Sequence, residues 1–175
     1  MSWILYCVTL PYTLLVGYGW VLLMVCIGAA KAPKFDVGYG ILTAEWRSWA
    51  AKTWKFSTTL GRGIIYSPGA RDDMFGPSNR TECHEIVHVR QVEDLMCLSL
   101  LVGIIVWVIT SNWLLGLLIW FSGGLWMGLG YVTAALRYGI KNMYRDSEYE
   151  LSAYAQTDIR PGSSHSWLYF RKKLR

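Results

Sequence analysis

The sequence predicts a mainly α-helical integral membrane protein, with about three transmembrane helices and a small α+β layer outside the bilayer. Three observations predict it. Hydrophobic residues make up 53% of the 175 residues and charged residues only 17%, in apolar runs long enough to cross a bilayer. All 17 lysines and arginines fall within 31–94 and 137–175, as expected of segments that flank membrane spans. Between the apolar runs stands Cys83-His84-Glu85-Ile86-Val87-His88-Val89-Arg90-Gln91, which holds an H-E-x-x-H motif and two of the three histidines of the chain.

Residues 3–30 are almost wholly apolar and carry no charge. They predict a tilted transmembrane helix with Pro11 as a kink. A cleaved signal peptide fits less well, because no basic segment precedes the run and the run is too long. Residues 31–80 are mixed and rich in turn formers. Trp46, Trp49 and Trp54 interleave with Arg47, Lys52 and Lys55, which suits a segment at the membrane–water boundary; the alternative is that some of these rings pack the core of the small outer layer. Residues 56–66 are rich in β-branched and aromatic residues and predict a short strand or hairpin, punctuated by Gly61 and Gly63 and closed by Ser67-Pro68-Gly69. Its edge, beside the helix that follows, can take a peptide by strand addition. Arg71-Asp72-Asp73 reads as a solvated turn.

Pro77-Ser78-Asn79-Arg80-Thr81-Glu82 predicts a helix start, with Asn79 as cap and Glu82 three residues on. On a helix, His84 and His88 lie one turn apart on one face, so both imidazoles reach one ion. Glu85 projects about 100° further round, where it holds a water and not the ion. The donor set fits Zn2+: two neutral imidazoles, an open position and a carboxylate to take a proton. The bland alternative is a helix whose histidines are polar surface. Gln91 shares the histidine face as a pocket residue or an ordinary polar contact.

This helix runs into the apolar stretch 95–110. Ser111-Asn112 is the only polar break before a second apolar stretch, 113–136, so 95–136 predicts a membrane hairpin. Gly124 and Gly128 have the G-x-x-x-G spacing that permits close helix contact; the alternative is glycine merely tolerated in a membrane helix. Arg137 marks the return to water, and 141–157 predicts a polar helix ending before Pro161-Gly162. The division is then 1–30, an N-terminal transmembrane helix; 31–157, the domain that contains the zinc helix and the hairpin; and 158–175, a basic tail suited to anionic lipid headgroups.

The remaining composition excludes other classes. The formal charge of +5 comes from residues that flank apolar spans, so nucleic acid is not an expected partner. Cys7, Cys26, Cys83 and Cys97 form no C-x-x-C pair and imply neither a disulfide framework nor a cysteine zinc site. By the positive-inside rule both basic segments face the cytoplasm and the amino terminus lies outside. That multi-pass topology returns the acidic helix 141–157 to the level of His84 and His88.

H-E-x-x-H, then a membrane hairpin, then E-x-x-A resembles the membrane gluzincins, the group of heat-shock membrane metalloproteases and CaaX-prenyl proteases. The matching residues are His84-Glu85-Ile86-Val87-His88 and Glu150-Leu151-Ser152-Ala153. The run from His84 to Gln91 also resembles small uncharacterised bacterial and phage-borne membrane proteins with the same motif. The resemblance covers about residues 80–157 and is specific at these two motifs. It implies a zinc metallopeptidase in which His84, His88 and Glu150 bind the metal and Glu85 is the general base. Of the two helix glutamates, Glu150 is favoured over Glu148, since Asp146, Ala153 and Tyr154 share its face. The family's Asp after the E-x-x-A alanine is replaced here by Tyr154, and Asp146 is the substitute to orient an imidazole. Tyr144, Tyr154 and His165 are candidates to donate to the oxyanion. The expected substrate is a peptide or membrane protein cleaved at the cytoplasmic face. The competing expectations are a non-catalytic membrane protein that keeps the metal site for structure and interacts with partner membrane proteins and, behind it, metal-ion handling at a membrane, in which Glu85 would have no role.

Overall fold

A computed structural model describes residues 3–54, 56–68, 80–140, 143 and 147–156. The fold is mainly helical with one small sheet. The first apolar run forms α1 (Trp3–Tyr12), a π-helical segment (Thr13–Tyr18) and α2 (Gly19–Cys26). Pro11, which cannot donate a backbone hydrogen bond, lies at the end of α1, and the helix widens directly after it. The Gly19 amide accordingly reaches the Leu14 carbonyl, five residues back.

The mixed segment holds more order than its composition predicts. It contains β1 (Lys34–Asp36), β2 (Ile41–Glu45), the one-turn helix α3 (Ser48–Ala51), β3 (Thr58–Leu60) and β4 (Gly63–Tyr66). The predicted hairpin is present, with β3 antiparallel to β4. Its larger context was not predicted: β4 also pairs in parallel with β2, giving one four-stranded sheet in the order β1-β2-β4-β3. Non-local parallel pairing leaves no turn signature in the sequence. Trp46 belongs to this layer's core and is fully buried, whereas Trp49 and Trp54 are exposed.

The sheet is packed on both faces, by the alternation of a strand. Ile65 points with Ala44 and Trp46 toward Val21 and Met24 of α2. Ile64 and Tyr66 point the other way, onto Ile86 and Val89. Fully burying an isoleucine contributes about 1.5–3 kcal/mol, so the two neighbours bind the sheet to two different helices. Close backbone contact reinforces the first face: a Cβ on Gly63 would run into the backbone of Gly17.

Ile86 and Val89 lie on α4 (Arg80–Thr110), a single helix of 31 residues that joins the H-E-x-x-H segment to the apolar stretch without a break. It starts one residue after the predicted cap; Asn79 itself lies outside the described residues. Its rotation against the sheet is fixed by a buried ion pair. Arg62, in the β3–β4 turn, bonds Glu93 of α4 and the Tyr39 carbonyl, and Arg90 meets the other Glu93 oxygen at 2.7 Å.

The chain then turns at Ser111-Asn112, where Asn112 caps α5 (Trp113–Ser122) by accepting from the Leu115 amide at 3.1 Å. The second half of the predicted hairpin is not one helix. A 3-10 turn (Gly123–Leu125) separates α5 from α6 (Met127–Tyr138), and the two halves bend by 55°. Consecutive glycines stand at the break, with Ser99 and the Tyr12 ring lying against them. The expected G-x-x-x-G contact is not formed as a pair, because Gly128 faces open space. The close helix contact is between Gly103 of α4 and Gly116 of α5, where a Cβ on either would strike the other's carbonyl.

Among the described residues two helices, Cys7–Cys26 and His84–Thr110, are long and apolar enough to cross a membrane, or three spans if the bent pair counts as one. Of the predicted helix 141–157, the described part is α7 (Glu148–Gln156). Ser147 precedes it and its hydroxyl accepts from the Glu150 amide at 3.3 Å, as an N-cap does.

Candidate metal centre

Four elements meet at the motif: α4, α7, α6 and the strand β3. The i, i+4 spacing puts His84 and His88 on one face of α4, and both are buried. The Ser147 cap starts α7 so that Glu150 falls in its first turn, 1% exposed, while Glu148 is exposed. The Nε2 atoms of His84 and His88 are 3.1 Å apart. Glu150 Oε2 is 3.1 Å from His84 Nε2, and Glu150 Oε1 is 3.3 Å from His88 Nε2.

These spacings test the donor set. Ligands about 2.0–2.1 Å from a tetrahedral ion are about 3.3 Å from each other. The His84–His88 separation matches an edge of such a polyhedron, each imidazole lies at a similar distance from its own oxygen of Glu150, and the set is one carboxylate and two imidazoles. The buried His84-His88-Glu150 group is therefore spaced to hold a metal ion.

The tautomer of His88 follows from its neighbours. Gln91, one turn on, donates its amide hydrogens to the Tyr149 carbonyl at 3.0 Å and to Ser152 Oγ at 2.6 Å. Its nitrogen thus faces α7, and its Oε1 faces His88 Nδ1 at 2.8 Å. An amide oxygen only accepts, so Nδ1 carries a proton and Nε2 is the atom that faces the site; in the neutral ring, the form that a metal binds, Nε2 presents a lone pair there. Gln91 both orients a ligand and ties α4 to α7.

The electrostatics favour an anionic Glu150. Burial alone pushes its carboxyl up, but hydrogen bonds to His84 and His88, and then their charge, outweigh burial and hold it at about 2. The carboxyl therefore stays ionised through the neutral range and is available as an oxygen donor. Its Oε1 also accepts from the Tyr131 hydroxyl of α6 at 3.2 Å.

Glu85 is buried beside this group, 6% exposed. It lies within electrostatic reach of His88 and Tyr131. Its Oε2 accepts from the hydroxyl of Thr59, on the edge strand β3.

Of the residues singled out in the sequence, the structure brings together His84, His88, Glu150, Glu85 and Gln91. Tyr154 lies on α7, with its side chain outside the description. Asp146, Tyr144 and His165 lie outside the described residues. Sequence reasoning missed four contributors. Ser147 had a signal, since Ser147-Glu148-Tyr149-Glu150 has the spacing of a capping box. Ser152 lies inside the E-x-x-A motif, and its hydroxyl takes a Gln91 hydrogen. Thr59 and Tyr131 reach the site only through tertiary packing and had no signal. No protein-family model, curated protein or solved structure matches the chain.

Proposed function

We propose that this is a zinc-dependent membrane metallopeptidase that hydrolyses peptide bonds of peptides or membrane proteins at the cytoplasmic face. The single observation that carries the proposal is the buried His84-His88-Glu150 triangle with the Glu85 carboxylate beside it. A structural ion needs no further carboxylate of this kind. An ion engaged in hydrolysis needs a proton acceptor next to its open position.

When bound, zinc would supply Lewis acidity toward the scissile carbonyl and toward water. The remaining work belongs to the chain. His88, with Nδ1–H held by Gln91, offers Nε2 in the neutral form. Glu150 offers the anionic oxygen. Glu85, with one oxygen occupied by the Thr59 hydroxyl, has the other to take the proton of the attacking water and deliver it to the leaving amine. Thr59 is carried by β3, at the end of the strand order, and an extended peptide added along that edge gains backbone hydrogen bonds.

The membrane setting is supported by the outward faces of the apolar helices. Leu14, Leu15, Leu22 and Leu23 of the first run, Leu101, Ile104, Ile105, Val108 and Ile109 of α4, and Leu129, Val132 and Leu136 of α6 are all exposed. Apolar surface on this scale calls for lipid or a partner. The basic residues at one end of these helices then set the orientation, with the amino terminus outside.

Two experiments test these statements. Protein purified in detergent and stripped by a chelator is expected to cleave members of a peptide library only after zinc is restored, read by mass spectrometry; equal cleavage with and without metal overturns the mechanism. For topology, single cysteines placed near Ser111 and near Arg145 in a cysteine-free background are expected to label from opposite sides, the second from the cytoplasm. Labelling of both from one side overturns the hairpin and with it the shared site.

A further inference from the structure

Tyr131 has no part in the proposed hydrolysis, yet it touches the site. It sits on α6, seven residues before the helix ends at Tyr138. Its hydroxyl donates to Glu150 Oε1 at 3.2 Å, and its ring packs against Tyr149, with centroids 6.3 Å apart. The two oxygens of Glu150 therefore have different neighbours. Oε2 is 3.1 Å from His84 Nε2, whereas Oε1 lies between the Tyr131 hydroxyl at 3.2 Å and His88 Nε2 at 3.3 Å.

A carboxylate at a metal binds through one oxygen or through both, and a hydrogen bond to one oxygen draws charge from it and fixes the plane of the group. We propose that Tyr131 is a positioning residue that holds Glu150 as a one-oxygen ligand, so that the position the second oxygen would occupy stays open for water and substrate. This inference rests on the metal site of the preceding section. It adds a role for the third apolar segment, which carries no residue of the H-E-x-x-H or E-x-x-A motifs but sets the geometry of the ligand they share.

The test uses the full chain, with cobalt(II) as a spectroscopic substitute for zinc. In the wild type a four-coordinate site gives intense visible absorption. Tyr131→Phe removes one oxygen atom and keeps the ring. It is expected to bind cobalt with a weaker visible band, as Glu150 turns both oxygens to the ion and the coordination number rises. Its affinity for zinc is expected to shift by about tenfold. A spectrum and affinity that superimpose on the wild type overturn the proposal. Wild-type protein that takes up no cobalt at all overturns instead the metal site beneath it. A second measurement needs no variant at Tyr131. The infrared difference between metal-loaded and stripped wild type, with Glu150→Gln to assign the bands, is expected to show the wide carboxylate splitting of one-oxygen ligation. A narrow splitting overturns the proposal even if Tyr131→Phe fails to fold.

Discussion

The His84→Ala, His88→Ala double variant is expected to retain no metal where the wild type holds about one ion per chain, because it removes two of three protein donors. Metal analysis of protein purified side by side reads this directly, and equal content in the two would end the metal assignment. The sharper comparison is between the two glutamates of α7. Glu150→Gln is expected to weaken zinc binding by about tenfold or more, the scale seen when groups at a metal site are removed. Glu148→Gln is expected to leave it unchanged. The structural reason is the Ser147 cap, which fixes where α7 begins and hence which carboxylate turns inward: Glu150 is 1% exposed and 3.1 Å from His84 Nε2, and Glu148 faces solvent. The neutral amide introduced by Glu150→Gln keeps an oxygen donor but loses the negative charge that the buried imidazoles hold in place. Metal loss in Glu148→Gln alone would mean that α7 is rotated from the register described.

The first-order architecture was legible because it rests on local signals. Apolar runs mark the long helices, i, i+4 histidines mark a ligand face, and Gly61 and Gly63 mark the β3–β4 hairpin. What was not legible depends on contacts between distant segments. The parallel pairing of β2 with β4 brings 42–45 against 63–66, and no turn chemistry encodes it. The bend after α5 falls where Ser99 and Tyr12 lie against Gly123 and Gly124, and the sequence pattern there is that of an uninterrupted span. At the centre itself the split is the same. The motif residues His84, Glu85 and His88 are visible as a spacing, and Gln91 as a shared face. Thr59 and Tyr131 come from a strand 26 residues before Glu85 and a helix 19 residues before Glu150. They are ordinary strand and helix residues until the fold sets them against carboxylates.

Glu85→Gln is expected to keep the metal and the fold and to lower hydrolysis by about 10²- to 10⁴-fold, the usual contribution of a positioned proton acceptor. The substitution is close to isosteric, and its amide oxygen can still accept the Thr59 hydroxyl, so the link between α4 and the β3 edge survives. Only basicity is removed. The outcome separates the enzyme from a metal site kept for structure, since a structural site has no use for a proton acceptor and would show the same behaviour in both forms. Metal content and turnover must be read on the same preparation. Retained metal with lost turnover assigns Glu85 as the base. Retained metal with unchanged turnover means that another group takes the proton. Lost metal would make Glu85 a partner of the ligands, needed to hold the ion in a buried site. The geometry argues for the first result: the Nε2 atoms of His84 and His88 are 3.1 Å apart, each within 3.1–3.3 Å of a Glu150 oxygen, and Glu85 is engaged on its own by Thr59 from the opposite element.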